Sequence, residues 1–198
     1  VWTNNFQAVY HLSENDAGIG NPNVYLDSTA NRYHADDENA SDGKVGLFGL
    51  GQEFGDTQAD RISPPKEVLN GLTALTTSWW HQTTNTGQQT IVSGSKSNSE
   101  ANEYIAWFSS DTNFQVYVDG AAESFGLAGT PIASHNTGDW NHFMSTADAA
   151  QVGIEVNFFV NGAGDTENPD PQPFTAIEIA NGGLVIGQEQ DSLGAGFQ

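Results

Sequence analysis

The chain never sustains one pattern for long. Short runs rich in aromatic and β-branched residues are cut off by clusters of Gly, Asn, Asp, Ser and Pro at roughly 10- to 20-residue intervals. The runs are Phe6–Leu12, Thr73–Trp80, Thr90–Val92, Tyr104–Phe108, Phe114–Val118, Trp140–Met144, Ile154–Val160, Thr175–Ile179 and Leu184–Ile186. Phe114, Val116 and Val118 alternate with Gln115 and Tyr117, which puts the apolar set on one face of a strand. Asp119-Gly120, Asn161-Gly162 and Asn181-Gly182 are hairpin-type dipeptides. Helical signals amount to single turns at Pro65–Leu69 and Ala147–Gln151, without the apolar period of a packed helix. The rhythm predicts an all-β antiparallel sandwich. With no internal repeat and no Pro- or Ser-rich linker, residues 1–198 read as one domain.

Charge narrows the partners. Acidic residues number 25 against 5 basic ones, for a formal charge of −20 and a pI near 4.1. Arg32, Lys44, Arg61, Lys66 and Lys96 cannot be assembled into a basic patch, so nucleic acid and anionic membrane surfaces are poor partners. Divalent cations and neutral ligands such as sugars or peptides fit better. The plainer reading of the charge is solubility. There is no cysteine, so no disulfide or thiolate site exists. No run approaches the ~18 to 20 apolar residues of a membrane span, so no membrane insertion is expected. The opening Val1-Trp2-Thr3-Asn4-Asn5 has no signal-peptide pattern and reads as an excerpt of a longer chain.

Several segments, taken in order, resemble the laminin-G-like and pentraxin-like domains of the concanavalin A-like jelly-roll superfamily. They are Val9-Tyr10-His11-Leu12-Ser13-Glu14 with Asp27-Ser28-Thr29-Ala30-Asn31, and Leu72 to Trp80, similar to an inner strand ending in a core tryptophan. Phe114 to Gly120, Gly138 to Phe143 and Val156 to Gly162 follow. The closing Gly187-Gln188-Glu189-Gln190-Asp191-Ser192 is the most specific, because it resembles the calcium-loop signature of pentraxins. The resemblance implies Glu189 and Asp191 as side-chain calcium ligands, with Gln190 giving its backbone carbonyl. It places a further carboxylate position on Gln198 and an earlier Asp-Asn pair on Ala101-Asn102, so only Asn102 survives of that pair. Glu100 and Glu103 lie beside it as substitutes. An all-oxygen set suits Ca²⁺, and fewer charged ligands imply a weaker site or one ion instead of two. Family members also run on into a final strand, whereas this chain stops at Gln198. The expected jelly roll therefore lacks its last strand, and a strand from another chain or subunit is one way to fill the slot.

Other clusters carry less. Asp36 to Gly43 is acidic but lacks EF-hand spacing and reads as a solvated loop, as does Asp165 to Pro171. Asp16 and Asp27 flank a Gly- and Asn-rich segment that offers a structural ion a place. His11, His34, His81, His135 and His142 show no zinc spacing, and His11 and His142 read as structural strand residues. No nucleophile elbow or phosphate loop is present. A glycosidase needs two carboxylates about 5 to 10 Å apart across the scissile bond. Glu189 and Asp191 have a matching spacing but sit in a glycine-rich turn, while Glu155 and Glu178 stand alone. Trp79, Trp107 and Trp140 read as core; Trp2, Trp80, Tyr33 and Phe125 are candidates for exposure.

The expected protein is a concanavalin A-like jelly roll, a module of a larger secreted or surface-attached bacterial protein. Its expected function is non-catalytic, calcium-assisted ligand binding, with carbohydrate preferred over peptide. The competing expectation is an adhesive fibre module assembled by strand complementation, and a glycoside hydrolase ranks third.

Overall fold

The structure, a computed structural model, describes residues 2–3, 5–15, 21–38, 41–55, 60–96, 102–118, 127–151, 156–164 and 174–189. Its strands are β1 (Asp36–Glu38), β2 (Ser41–Val45), β3 (Leu50–Glu53), β4 (Arg61–Ser63), β5 (Ala74–His81), β6 (Gln89–Ser95) and β7 (Asn102–Ser110). There follow β8 (Asn113–Val118), β9 (Leu127–Pro131), β10 (Asn141–Asp148), β11 (Val156–Val160), β12 (Ala163–Gly164) and β13 (Leu184–Ile186). One sheet has the order β1-β4-β13-β6-β7-β8-β9, a second β12-β11-β10-β5, and β2-β3 form a separate hairpin. All the strand pairings are antiparallel.

Alternation builds the core between the two larger sheets. Phe114, Val116 and Val118 of β8 are fully buried, and Tyr104, Ala106 and Phe108 of β7 join them from the same sheet. Phe143 and Ala147 of β10 and Val156 and Phe158 of β11 face them from the other. The rings interlock: Phe114 meets Phe158 edge-on at 5.1 Å and Trp79 edge-on at 5.4 Å. A hydroxyl cluster also crosses the gap, with Thr77 Oγ1 2.6 Å from Tyr104 Oη and 2.9 Å from Ser145 Oγ. Burial raises the Tyr104 phenol above its ordinary pKa, so it stays neutral.

Several expectations need correcting. Phe6–Leu12 is not a strand: Leu12 has φ 55°, and the pairing there is an isolated bridge between Tyr10 and Asp27. Thr175–Ile179 is extended but outside the strands, because its N–H groups go elsewhere. Ile177 N–H bonds Leu72 O (3.0 Å), Glu178 N–H the Glu103 carboxylate (3.1 Å) and Ile179 N–H Asn70 Oδ1 (2.9 Å). Ala147 belongs to β10, paired with Leu75 and Val156, so the turn is confined to its end. The single turn at Pro65–Leu69 is present as a 3₁₀ turn over Lys66–Val68. Asn161 (φ 50°) and Gly162 (φ 81°) form the two positive-φ positions of a tight hairpin. Asp119-Gly120 lies outside the described residues. Trp107 alternates with Ala106 and Phe108 and points away from the core, half-buried.

Acidic Asp36 to Gly43 is not a solvated loop. Its first residues form β1, where Asp37 is fully buried and accepts the Tyr25 hydroxyl at 3.0 Å, and Glu38 pairs with Arg61 at 3.1 Å. Tyr25, Ala35 and Ile62 make a second, smaller apolar cluster with Phe54 and Ile186 packed against it.

Candidate functional site

β13 is short but central, paired with β4 on one side and β6 on the other. Its interior position buries Leu184 and Val185 and fixes where the following loop begins. Gly187 turns the chain with φ 90°, and its N–H bonds Ile91 O at 2.8 Å. A Cβ there would lie 2.2 Å from the Phe54 ring, so only glycine fits. Beyond it the chain doubles back across the sheet: Ser93 Oγ donates to Gln188 O at 3.2 Å, and Gln188 is buried.

The neighbouring strand supplies the second half of the site through an irregularity. Tyr104 pairs with Gly94, but the next pair is Asn102 with Ser95, so β7 carries one extra residue. That residue is Glu103, which is buried and bonds the Glu178 N–H beside core residues Ile177 and Ile179. The bulge thereby aims Asn102 differently from Glu103. Asn102 Nδ2 donates to Glu189 Oε1 at 3.3 Å, joining residues 87 apart in sequence. Asn102 Oδ1 is sealed from solvent and accepts no hydrogen bond among the described residues. A buried amide oxygen without a donor beside a carboxylate is a donor set suited to a hard cation.

Two of the expected calcium ligands, Asn102 and Glu189, are thus brought together. Gln190, Asp191 and Gln198 lie outside the described residues, as does Glu100. Glu103 is buried, and one of its carboxylate oxygens accepts the Glu178 N–H. Among the described residues, no three His, Asp or Glu side chains gather as a metal cluster. Asp16 is outside the description, and Asp27 works as a backbone organiser instead of an ion ligand. Its two oxygens accept from the N–H groups of Val9, Thr29 and Tyr33, each at 2.9 Å, and from Thr29 Oγ1 at 2.7 Å. Burial opposes its ionisation, but these donors outweigh it and hold the carboxyl below its ordinary pKa.

Sequence spacing gave no hint of a histidine pair at one end of the core. His81 and His135 meet edge-on with centroids 5.3 Å apart, and His135 stacks on Phe108 at 4.1 Å. Trp79 Nε1 donates to His81 Nδ1 at 3.2 Å. Burial, with the neighbouring His135, drives the His81 pKa down to about 3. Both rings are neutral structural groups at pH 7. His142, by contrast, is on the outer face of the four-stranded sheet beside Trp80, their centroids 5.0 Å apart. Trp80 is 48% and Trp2 37% exposed, as expected from their positions.

The architecture of two packed antiparallel sheets can now be set beside known proteins. A family model, Laminin_G_3 of the concanavalin A-like lectin/glucanases superfamily, matches residues 56–198. The chain belongs to that superfamily. The binding domain of Paraclostridial Mosquitocidal Protein 1 is similar in structure, with TM-score 0.61 and 9% identity over 86% of this chain and 43% of that one. This chain therefore spans less than half of that neighbour, and the likeness is one of fold. The Ruminococcus gnavus IT-sialidase CBM40 is a weaker likeness in two solved structures. With α2,3-sialyllactose bound, the TM-score is 0.47, with 13% identity over 65% of this chain and 70% of that one. With α2,6-sialyllactose bound, it is 0.35, with 14% identity over 66% and 85%. No curated protein gives a significant sequence match. No helix among the described residues is long and apolar enough to cross a membrane.

Proposed function

We propose that this domain is a non-catalytic, calcium-assisted binding module, with carbohydrate preferred over peptide, carried by a secreted or cell-surface protein. The observation that carries the reading is the meeting of Asn102 and Glu189 across the bulged strand, with Asn102 Oδ1 buried and unsatisfied. Ca²⁺ would be held by Glu189 and Asn102 together with Gln190, Asp191 and Gln198. When bound, it supplies positive charge and open coordination positions for hydroxyl oxygens. The chain's own part is to fix the loop: Gly187 sets the reversal, Ser93 holds Gln188, and the bulge at Glu103 brings Asn102 to the carboxylate. The superfamily spans lectins and glucanases, and the similarity to a domain named for binding supports the binding role. Glu178 does not favour an enzyme, since its exposed carboxylate is paired with Lys96 at 2.5 Å.

The test is binding to immobilised oligosaccharides in calcium buffer and in excess chelator. A calcium-dependent part of the binding, lost with chelator and in Asn102→Ala, is expected; equal binding in both buffers would overturn the calcium mechanism.

A further inference from the structure

The outer face of the four-stranded sheet carries a second, unassigned surface. Trp80 of β5 and His142 of β10 are direct cross-strand partners, with ring planes tilted by 42°. The next position across the sheet is Asn161, at the β11–β12 turn. Its Oδ1 accepts the His142 N–H at 2.9 Å, and its own N–H bonds His142 O at 2.8 Å. An indole, an imidazole and an amide therefore form one row across the strands. Strands are spaced by about 4.8 Å, close to the width of a pyranose ring. The imidazole is braced by Ser78, whose Oγ is 2.7 Å from His142 Nε2. Asn161 is braced through Nδ2, which donates to Asn141 Oδ1 at 2.9 Å. Trp80 is 48% exposed.

A rigid, half-exposed aromatic plate beside fixed polar groups suits a ligand with one apolar C–H face and a rim of hydroxyls. Charge selects among such ligands. None of the chain's five Lys and Arg residues is in β5, β10, β11 or β12, and Lys44, Arg61 and Lys96 are paired with Glu53, Glu38 and Glu178. These strands offer an acidic sugar no Lys or Arg, and the net charge of −20 opposes it.

We infer that the Trp80–His142–Asn161 row is a calcium-independent stacking subsite for a neutral sugar ring, on the sheet opposite the Asn102–Glu189 loop. The inference rests on the carbohydrate-binding reading above and adds to it a second site and a ligand charge class.

The experiment is titration of the intact domain with cellotetraose, mannotetraose, lactose and sialyllactose, followed by calorimetry and tryptophan fluorescence, with and without chelator. Wild type, Trp80→Ala and Trp80→Phe are compared, with thermal melts confirming that each folds. The expected result is chelator-resistant binding of a neutral sugar, weakened about tenfold or more by Trp80→Ala and largely kept by Trp80→Phe. Sugar binding that persists unchanged in Trp80→Ala overturns the subsite and leaves the calcium-loop reading standing. A wild type that binds none of the four sugars in either buffer overturns the subsite and the carbohydrate reading together. Self-association that Trp80→Ala abolishes, without sugar binding, assigns the face to a second copy of the chain and overturns the subsite.

Discussion

At the scale of residues, the strongest commitments are polar groups that organise backbone. Asp27 gathers three N–H groups and one hydroxyl, and Asn cannot replace it, because an amide NH₂ would confront one of those donors. Asp27→Asn should cost about 2 to 4 kcal/mol in urea unfolding, most of it from stranded donors. His81 makes a pH-dependent contribution of definite sign. Its folded pKa of about 3 lies below the ordinary 6.5, so the unfolded chain binds the proton more readily between those values. The stability due to a neutral His81 is complete above pH 6.5 and is lost as pH falls toward 3. By pH 4 the loss is on the order of 3 kcal/mol, so stability should fall between pH 7 and 4. In His81→Phe that part of the slope should disappear. Identical pH profiles for the two proteins would contradict the assignment.

Among the elements, the loop after β13 depends on one position. A methyl group at Gly187 would overlap the Phe54 ring and sit on a backbone at φ 90°, so Gly187→Ala should destabilise the fold by about 2 kcal/mol or more. It should also weaken calcium binding, because Gln188 and Glu189 are placed by that turn; calcium affinity equal to wild type would separate the loop from the turn. The same contrast explains what could be read from sequence. β8 was legible because Phe114, Val116 and Val118 alternate cleanly, and β5 and β13 because aromatic or branched runs end in turn residues. β1 was not: Asp36-Asp37-Glu38 has the composition of a loop, and a buried tyrosine hydroxyl and an arginine make it a strand. The meeting of Asn102 with Glu189 was legible only through family resemblance. The bulge that sends Glu103 inward depends on pairing with Gly94 and Ser95, a long-range fact absent from the local pattern.

For the molecule as a whole, the sandwich presents two unlike surfaces. One carries an oxygen-donor loop and the other an aromatic row, with an aromatic core between them. A charge of −20 makes local concentration of cations easy and gives any bound calcium a second effect, relief of self-repulsion. Calcium should therefore raise the melting temperature, and the rise should exceed that given by sodium chloride of equal ionic strength. Equal rises would reduce the effect to screening. The most direct measurement is a calorimetric calcium titration of the wild type beside a Glu189→Gln/Asp191→Asn variant. Binding with a Kd between about 10⁻⁶ and 10⁻³ M that disappears in the variant is the expected result. No heat from the wild type, or equal binding by a folded variant, would contradict the calcium loop.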